Sequence, residues 1–172
     1  MFLEKSKFSE ACDALPLVSI DLFLICIKAS GCEVLLGYRN NMPANNYWFT
    51  PGGRIRKNES FESAMCRIAQ DELGLNKDLL KQADLLGVWD HFYPNSAFDA
   101  NISTHYVNLP HLLLIEESEA GLVNPPVGET EQHSDWYWWQ VSDALAEDTV
   151  HENVKNVLRH LLQTQKIHRN TK

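Results

Sequence analysis

Two adjacent carboxylates, Asp71 and Glu72, close a stretch in which Phe61, Ala64, Met65 and Ile68 recur at helical spacing. At about 3.6 residues per turn, Glu72 falls on that same apolar face and Asp71 at its edge. A carboxylate facing a core is costly unless something pairs with it. The last turn of a helix also disfavours negative charge. Arg67, four residues before Asp71, supplies one partner. A divalent cation such as Mg²⁺ supplies a fuller one, because hard cations take carboxylate and carbonyl oxygens. The plain alternative is an acidic helix end that reaches solvent, as most surface carboxylates do.

The elements that must hold these groups can be read on both sides. The apolar run Tyr47-Trp48-Phe49 leads into Gly52-Gly53, then a helix that Asn58 or Ser60 caps and Gly74 ends in a left-handed turn. Upstream, Glu4 to Ala14 reads as a short helix and Leu17 to Lys28 as a long strand interrupted by Asp21. After Gly31, Glu33 to Arg39 returns as the second strand of a hairpin, and residues 40–46 form a loop. Downstream, the pattern gives a short helix near Lys77 to Ala83, a strand from Leu86 to Phe92 and a polar loop over 93–101. A long strand, Ser103 to Glu116, carries Thr104, His105 and Tyr106. The loop over 124–132 is long enough to suspect a function, and the aromatic strand Asp135 to Gln140 follows it. Asn153 to Gln165 is an amphipathic helix with Val154, Val157, Leu158, Leu161 and Leu162 inside. Mixed strands with the helix that carries Asp71 and Glu72 and a terminal helix suit an α/β fold, a single-domain α/β/α sandwich on a mixed sheet.

Composition narrows the function classes. With 44% hydrophobic and 22% charged residues, the chain is that of a globular protein, and its 172 residues fit one domain. A net charge of −8 argues against broad binding to nucleic acid or an anionic membrane, and an anionic substrate would need local arginines. The cysteines (Cys12, Cys26, Cys32 and Cys66) form no C-x-x-C pair and are expected to be reduced and mostly buried. No signal peptide or long apolar run is evident, so a cytoplasmic location is expected.

The spacing Gly53, five residues, Glu59, seven residues, Arg67, then Asp71-Glu72 and Gly74-Leu75 resembles the Nudix box, here covering residues 52–75. That box reads G-x5-E-x7-R-E-U-x-E-E-x-G-U, with U bulky and aliphatic. Ile68 stands where the box has its first Glu after Arg67, Ala69 is small for its position, and Asp71 replaces a Glu. A site built on this variant has lost a carboxylate and should hold fewer metal ions.

The likeness extends further. Met1-Phe2-Leu3, Pro16 to Asp21, Leu36 to Arg39, Tyr47 to Phe49, Trp89 to Tyr93, Thr104 to Tyr106 and Glu131-Gln132-His133 resemble the GDP-mannose mannosyl hydrolase family. That family also lacks the box Glu replaced here by Ile68. The resemblance implies a Nudix-type fold over residues 1–172 and cleavage of GDP-mannose, or GDP-glucose, to GDP and free sugar. It also implies that water attacks sugar C1 with inversion, that one divalent metal serves each subunit (Mg²⁺, with Mn²⁺ as a substitute), and that the protein pairs as a homodimer. It further implies metal ligation by the Gly52 carbonyl, Glu72 and Gln132, and a general base at His133. Arg39, Arg54 and Arg67 would surround the phosphates, Tyr106 would donate near the leaving group, and Asp21 would meet the sugar. Phe2, Leu3 and Phe8, with Arg39, would bind the nucleotide, with residues 1–14 near the dimer interface. His91 and Trp89 are expected near the site without an assigned role.

Two other readings remain. A conventional pyrophosphohydrolase would attack phosphorus in a nucleoside diphosphate derivative. A non-enzymatic nucleotide-sugar-binding module would keep the fold without turnover.

Overall fold

The computed structural model describes residues 3–75, 77–127 and 132–167. In chain order the elements are α1 (Lys5–Ala14), β1 (Leu17–Lys28), β2 (Gly31–Arg39), β3 (Trp48–Phe49), β4 (Gly52–Arg54), α2 (Phe61–Leu73) and α3 (Lys77–Leu80). They continue with β5 (Asp84–Leu85), β6 (Trp89–Tyr93), β7 (Thr104–Ile115), α4 (Glu117–Ala120), β8 (His133–Gln140), α5 (Val141–Ala146) and α6 (Glu152–Gln163).

β1 organises the sheet because both of its faces are covered, which is why it reads as a nearly unbroken apolar run. Its first half pairs antiparallel with β4 and its second half with β2, while β7 runs parallel beside it from Leu17↔Tyr106 to Cys26↔Ile115. Alternation sends Ile20, Leu22, Leu24 and Cys26 to one face, where Ala64, Met65, Ile68, Ala69 and Leu73 of α2 meet them. Phe23 and Ile25 point to the other face, against Val154, Val157, Leu158 and Leu161 of α6. Each aliphatic side chain so buried stabilises the fold by roughly 1.5–3 kcal/mol. The result is the expected α/β/α sandwich on a mixed sheet. Ser19 and Asp21 belong by alternation to the Phe23 face but line a cavity there instead of core.

The box helix has the ends its sequence calls for. Ser60 Oγ accepts from Ser63 N, and Gly74 adopts φ +65° with its N–H on the Ala69 and Gln70 carbonyls. Phe61 departs from the helical pattern: it is 44% exposed and packs on His111 rather than the core. The strand expected from Leu86 starts at Trp89 because Gly87 turns the chain at φ +125°. All four cysteines are thiols, and Cys32 Sγ donates to the Ile167 carbonyl. No helix among the described residues is long and apolar enough to cross a membrane.

α6 begins with an unusual cap. His151 Nδ1 accepts from Asn153 N at 3.1 Å while its ring packs against Phe49, Tyr47 and Tyr93. Burial lowers its pKa to about 4, against about 6.5 in the unfolded chain. Between those values the unfolded chain binds the extra proton, so the His151 contribution to stability is present above about pH 6.5 and lost as pH falls toward 4. His151→Asn keeps a capping side chain and removes the titration. Its Tm deficit relative to wild type should shrink as pH falls from about 7.5 to about 5. Taking the difference removes the other buried groups from the comparison, and parallel Tm profiles would refute the assignment.

Candidate active site

Where β4, the first half of β1 and the ends of β6 and β7 meet, they enclose a cavity of about 510 Å³. Leu3 and Phe8 close it from the amino-terminal side, and Asp21, Arg39 and Tyr106 line it from the strands. Gly52, Arg54, Arg67, Asp71 and Glu72 come from the box, and Gln132 from the segment before β8. The fold thus brings together ten of the twelve residues to which the resemblance gives a role, with Asp71 beside them. Phe2 lies outside the described residues, and His133 does not line the cavity.

Asp21 is 6% exposed, and burial raises its pKa to about 7 although Arg39 and Asn108 oppose the shift. Its Oδ2 lies 4.0 Å from Nδ1 of His91, a 4% exposed imidazole that burial lowers to about 4 and that lines the same cavity. Arg39 reaches the site through a bulge between Tyr38 and Arg39, and its backbone N–H donates to the Tyr47 carbonyl. Its guanidinium packs 5.7 Å over the Phe49 ring and leaves Nε buried without a partner. Burial lowers its pKa, and Tyr93, Glu72 and Asp21 act in the other direction. Tyr106 is pushed up to about 12, chiefly by burial, so it stays a neutral donor at physiological pH.

The other two arginines are held differently. Arg67 makes a fork with Glu59, Nε to Oε1 at 2.6 Å and Nη2 to Oε2 at 2.9 Å, and also donates to the Arg54 carbonyl. Glu59 Oε2 accepts from Arg56 N, and the fork holds the Glu59 carboxyl down at about 2. Arg67 therefore ties the Gly-rich loop to α2, with Asp71 at 4.0 Å. Arg54 lies 5.2 Å over the Phe8 ring, which itself stacks edge-on with Phe98. Phe8 is 6% exposed against its own chain.

The oxygen donors expected to hold a metal converge. Glu72, Gln132 and Gly52 line one cavity, and the Asn40 N–H fixes the segment before β8 by donating to the Gln132 carbonyl at 3.0 Å. A Cβ at Gly52 would meet Asp21 Oδ1 at 2.3 Å, so only glycine lets this backbone sit so close to the carboxylate. Hard oxygen donors around a half-buried carboxylate fit a divalent cation of the Mg²⁺ type. Among the described residues no group of three or more His, Cys, Asp or Glu side chains is placed to hold a metal ion by itself. Ile68, at the box position of the missing Glu, is 1% exposed and packs in the core.

His133 sits behind this set. Its ring is 1% exposed, Nδ1 lies 3.4 Å from Glu72 Oε2, and Nε2 is buried without a partner. Trp136 covers it at 4.5 Å, and a Cβ at Gly37 would collide with the ring at 2.6 Å. Burial lowers its pKa while the Glu72 hydrogen bond opposes the shift. In this arrangement the imidazole faces Glu72 rather than the cavity. The sequence reading missed Asn108, which lines the cavity two residues beyond Tyr106, although strand alternation from Tyr106 was available to find it. Thr104, from the same strand, is buried and donates to the Asn95 carbonyl, while His105 pairs with Asp90 on the outside.

Known proteins agree with the architecture. The chain is 42% identical over 92 residues to the low-salt glycan biosynthesis protein Agl8 of Haloferax volcanii. The match covers 54% of each, so the chain spans about half the length of that curated relative. The NUDIX domain of Shewanella oneidensis NrtR, complexed with ADP ribose, is similar at a TM-score of 0.63 and 18% identity, over 95% of this chain and 99% of that one. A MutT NUDIX hydrolase from Burkholderia pseudomallei is similar at a TM-score of 0.61 and 26% identity, over 85% and 98%. The family model described as NUDIX domain matches residues 20–161, from the β1 face that lines the cavity through the box to α6, and on that span the chain belongs to the NUDIX domain family.

Proposed function

We propose that the protein hydrolyses a GDP-hexose, GDP-mannose or GDP-glucose, to GDP and free sugar by attack of water at sugar C1. The observation that carries this reading is Ile68. A NUDIX site that works on phosphorus with several metal ions needs several carboxylates, whereas here the first box Glu is replaced by an apolar side chain that packs in the core and borders the cavity without offering an oxygen. Three carboxylates line the cavity, and of them Asp21 is buried with its pKa raised to about 7 and Asp71 is mostly exposed, so half-buried Glu72 is the one suited to a single cation. The Agl8 likeness supports a link to glycan chemistry.

The water oxygen forms a bond to C1 as the bond from C1 to the diphosphate oxygen breaks, and GDP leaves with the electron pair. Diphosphate is already a good leaving anion, so the protein's task is to neutralise charge and position groups. Arg39 and Arg54 would face the phosphate oxygens with charged, planar donors. Tyr106 would add a neutral donor, and Asp21 would accept from sugar hydroxyls beside the electron-poor C1. A divalent cation, held by the Gly52 carbonyl, Glu72 and Gln132, would supply Lewis-acid charge on the diphosphate. The proton of the attacking water would pass toward His133, directly or through its contact with Glu72. A homodimer joined near the amino-terminal segment belongs to the same proposal.

A second reading, attack at phosphorus, is favoured by Asp71, which lines the cavity beside Glu72 and could rebuild part of a metal cluster. Hydrolysis in ¹⁸O-labelled water separates the two. Label in the free sugar, with unlabelled GDP and the β-anomer appearing first, is the expected result. Label in a phosphate product, with GMP and sugar phosphate, would replace the first reading with the second.

A further inference from the structure

The floor of the cavity holds a polar atom that none of the roles above uses. Asn108 is 1% exposed, its Nδ2 donates to Ser19 Oγ at 2.8 Å, and its Oδ1 is buried without a hydrogen-bond partner. An unpaired amide oxygen inside a protein is unfavourable, and an apolar residue at this strand position would avoid the loss. The oxygen is therefore poised for a partner that enters the cavity.

The sheet register says where that partner sits. Across the strands, Arg54 pairs with Ser19 and Ser19 with Asn108, while Gly52 pairs with Asp21. Asn108 thus stands two strands, about 10 Å, from the edge that carries Gly52 and Arg54. If the diphosphate lies along that edge, a group one linkage further on reaches Asn108. A carbonyl oxygen accepts hydrogen bonds and gives none, so it repels phosphate oxygens and takes hydroxyls. Ser19, Asp21 and Tyr106 surround it with further short polar groups and make the floor of the cavity a hydroxyl-reading surface.

We infer that Asn108 Oδ1 accepts a hydrogen bond from one hexose hydroxyl and so sets which hexose the cavity takes. This rests on the reading of the substrate as a nucleotide sugar. The test compares wild type with Asn108→Leu, which keeps the branched shape and removes the polar atoms, on GDP-mannose and on GDP-mannose analogues lacking one hydroxyl each. Wild type should lose about tenfold to a hundredfold in kcat/KM on one analogue. Asn108→Leu should lose that same factor on GDP-mannose and treat that analogue and the parent alike, with Kd for GDP within about twofold of wild type. Should Asn108→Leu not fold, as judged by circular dichroism and Tm, Asn108→Ala carries the same comparison. Unchanged kcat/KM on GDP-mannose, or an unaltered pattern across the analogues, would overturn the inference. An equal loss in GDP affinity would also overturn it, because the contact would then belong to the nucleotide. Wild type that turns over no GDP-hexose would instead sink the underlying function. In that case the Kd of GDP-mannose relative to GDP, in wild type and variant, still decides the role of Asn108.

Discussion

Glu72→Gln should lower kcat/KM on GDP-mannose by about 10²–10⁴-fold and raise the Mg²⁺ concentration needed for half-activation. Glutamine keeps the length and one oxygen donor and removes only the charge. Glu72 is the half-buried carboxylate of the cavity, with 18% of its side chain exposed, while the Asp71 side chain is 54% exposed. An exposed carboxylate is screened and well solvated, so it contributes less to holding an ion than one with protein on most sides. Asp71→Asn should therefore cost only a few-fold, a comparison that also controls for a general loss of negative charge on α2. The measurement is a metal titration of turnover for both variants. If Glu72→Gln leaves the metal requirement unchanged, the assignment of Glu72 as ligand is wrong. If the two variants lose activity equally, the site is a shared carboxylate pair and the phosphorus-attack reading gains.

The parts of this site that are close together in sequence could be read from sequence. Gly53, Glu59, Arg67 and Glu72 lie on one short strand, the loop after it and the helix that follows, and the spacing of Arg67 and Glu72 follows from the helical period. The bounds of β1 were equally legible, because an apolar run followed by a turn at Gly31 leaves little choice, and the short helix read over Glu4 to Ala14 corresponds to α1. What local pattern does not encode is pairing across the sheet. Asn108 meets Ser19 only because β7 runs parallel to β1, which joins residues 89 positions apart. Arg67 gains its partners in the same way. Its i,i+4 partner Asp71 was visible, but it forks onto Glu59 and the Arg54 carbonyl once the loop folds back. The short helices α4 and α5 carry too little sequence to announce themselves and depend on what they pack against.

His133→Asn should lower kcat by about 10²–10⁴-fold with little change in GDP affinity, whichever way the imidazole acts. Two roles give this loss, and metal dependence separates them. A base that takes the proton from water need not touch the metal ligands, so its loss would leave half-activation by Mg²⁺ where it was. A ring that holds Glu72 in place would, when removed, also raise the Mg²⁺ needed, by about 10–100-fold for a group hydrogen-bonded to a ligand. The geometry predicts the second pattern. Nδ1 sits 3.4 Å from Glu72, the ring is 1% exposed, and Trp136 and the bare Gly37 backbone fix it from two sides. A kcat loss with unchanged half-activation would mean that the ring leaves this niche during turnover and meets the water itself. Normal kcat would remove His133 from the reaction. The surviving candidates would then be Asp21 and His91, 4.0 Å apart, which face the same cavity from the sheet side.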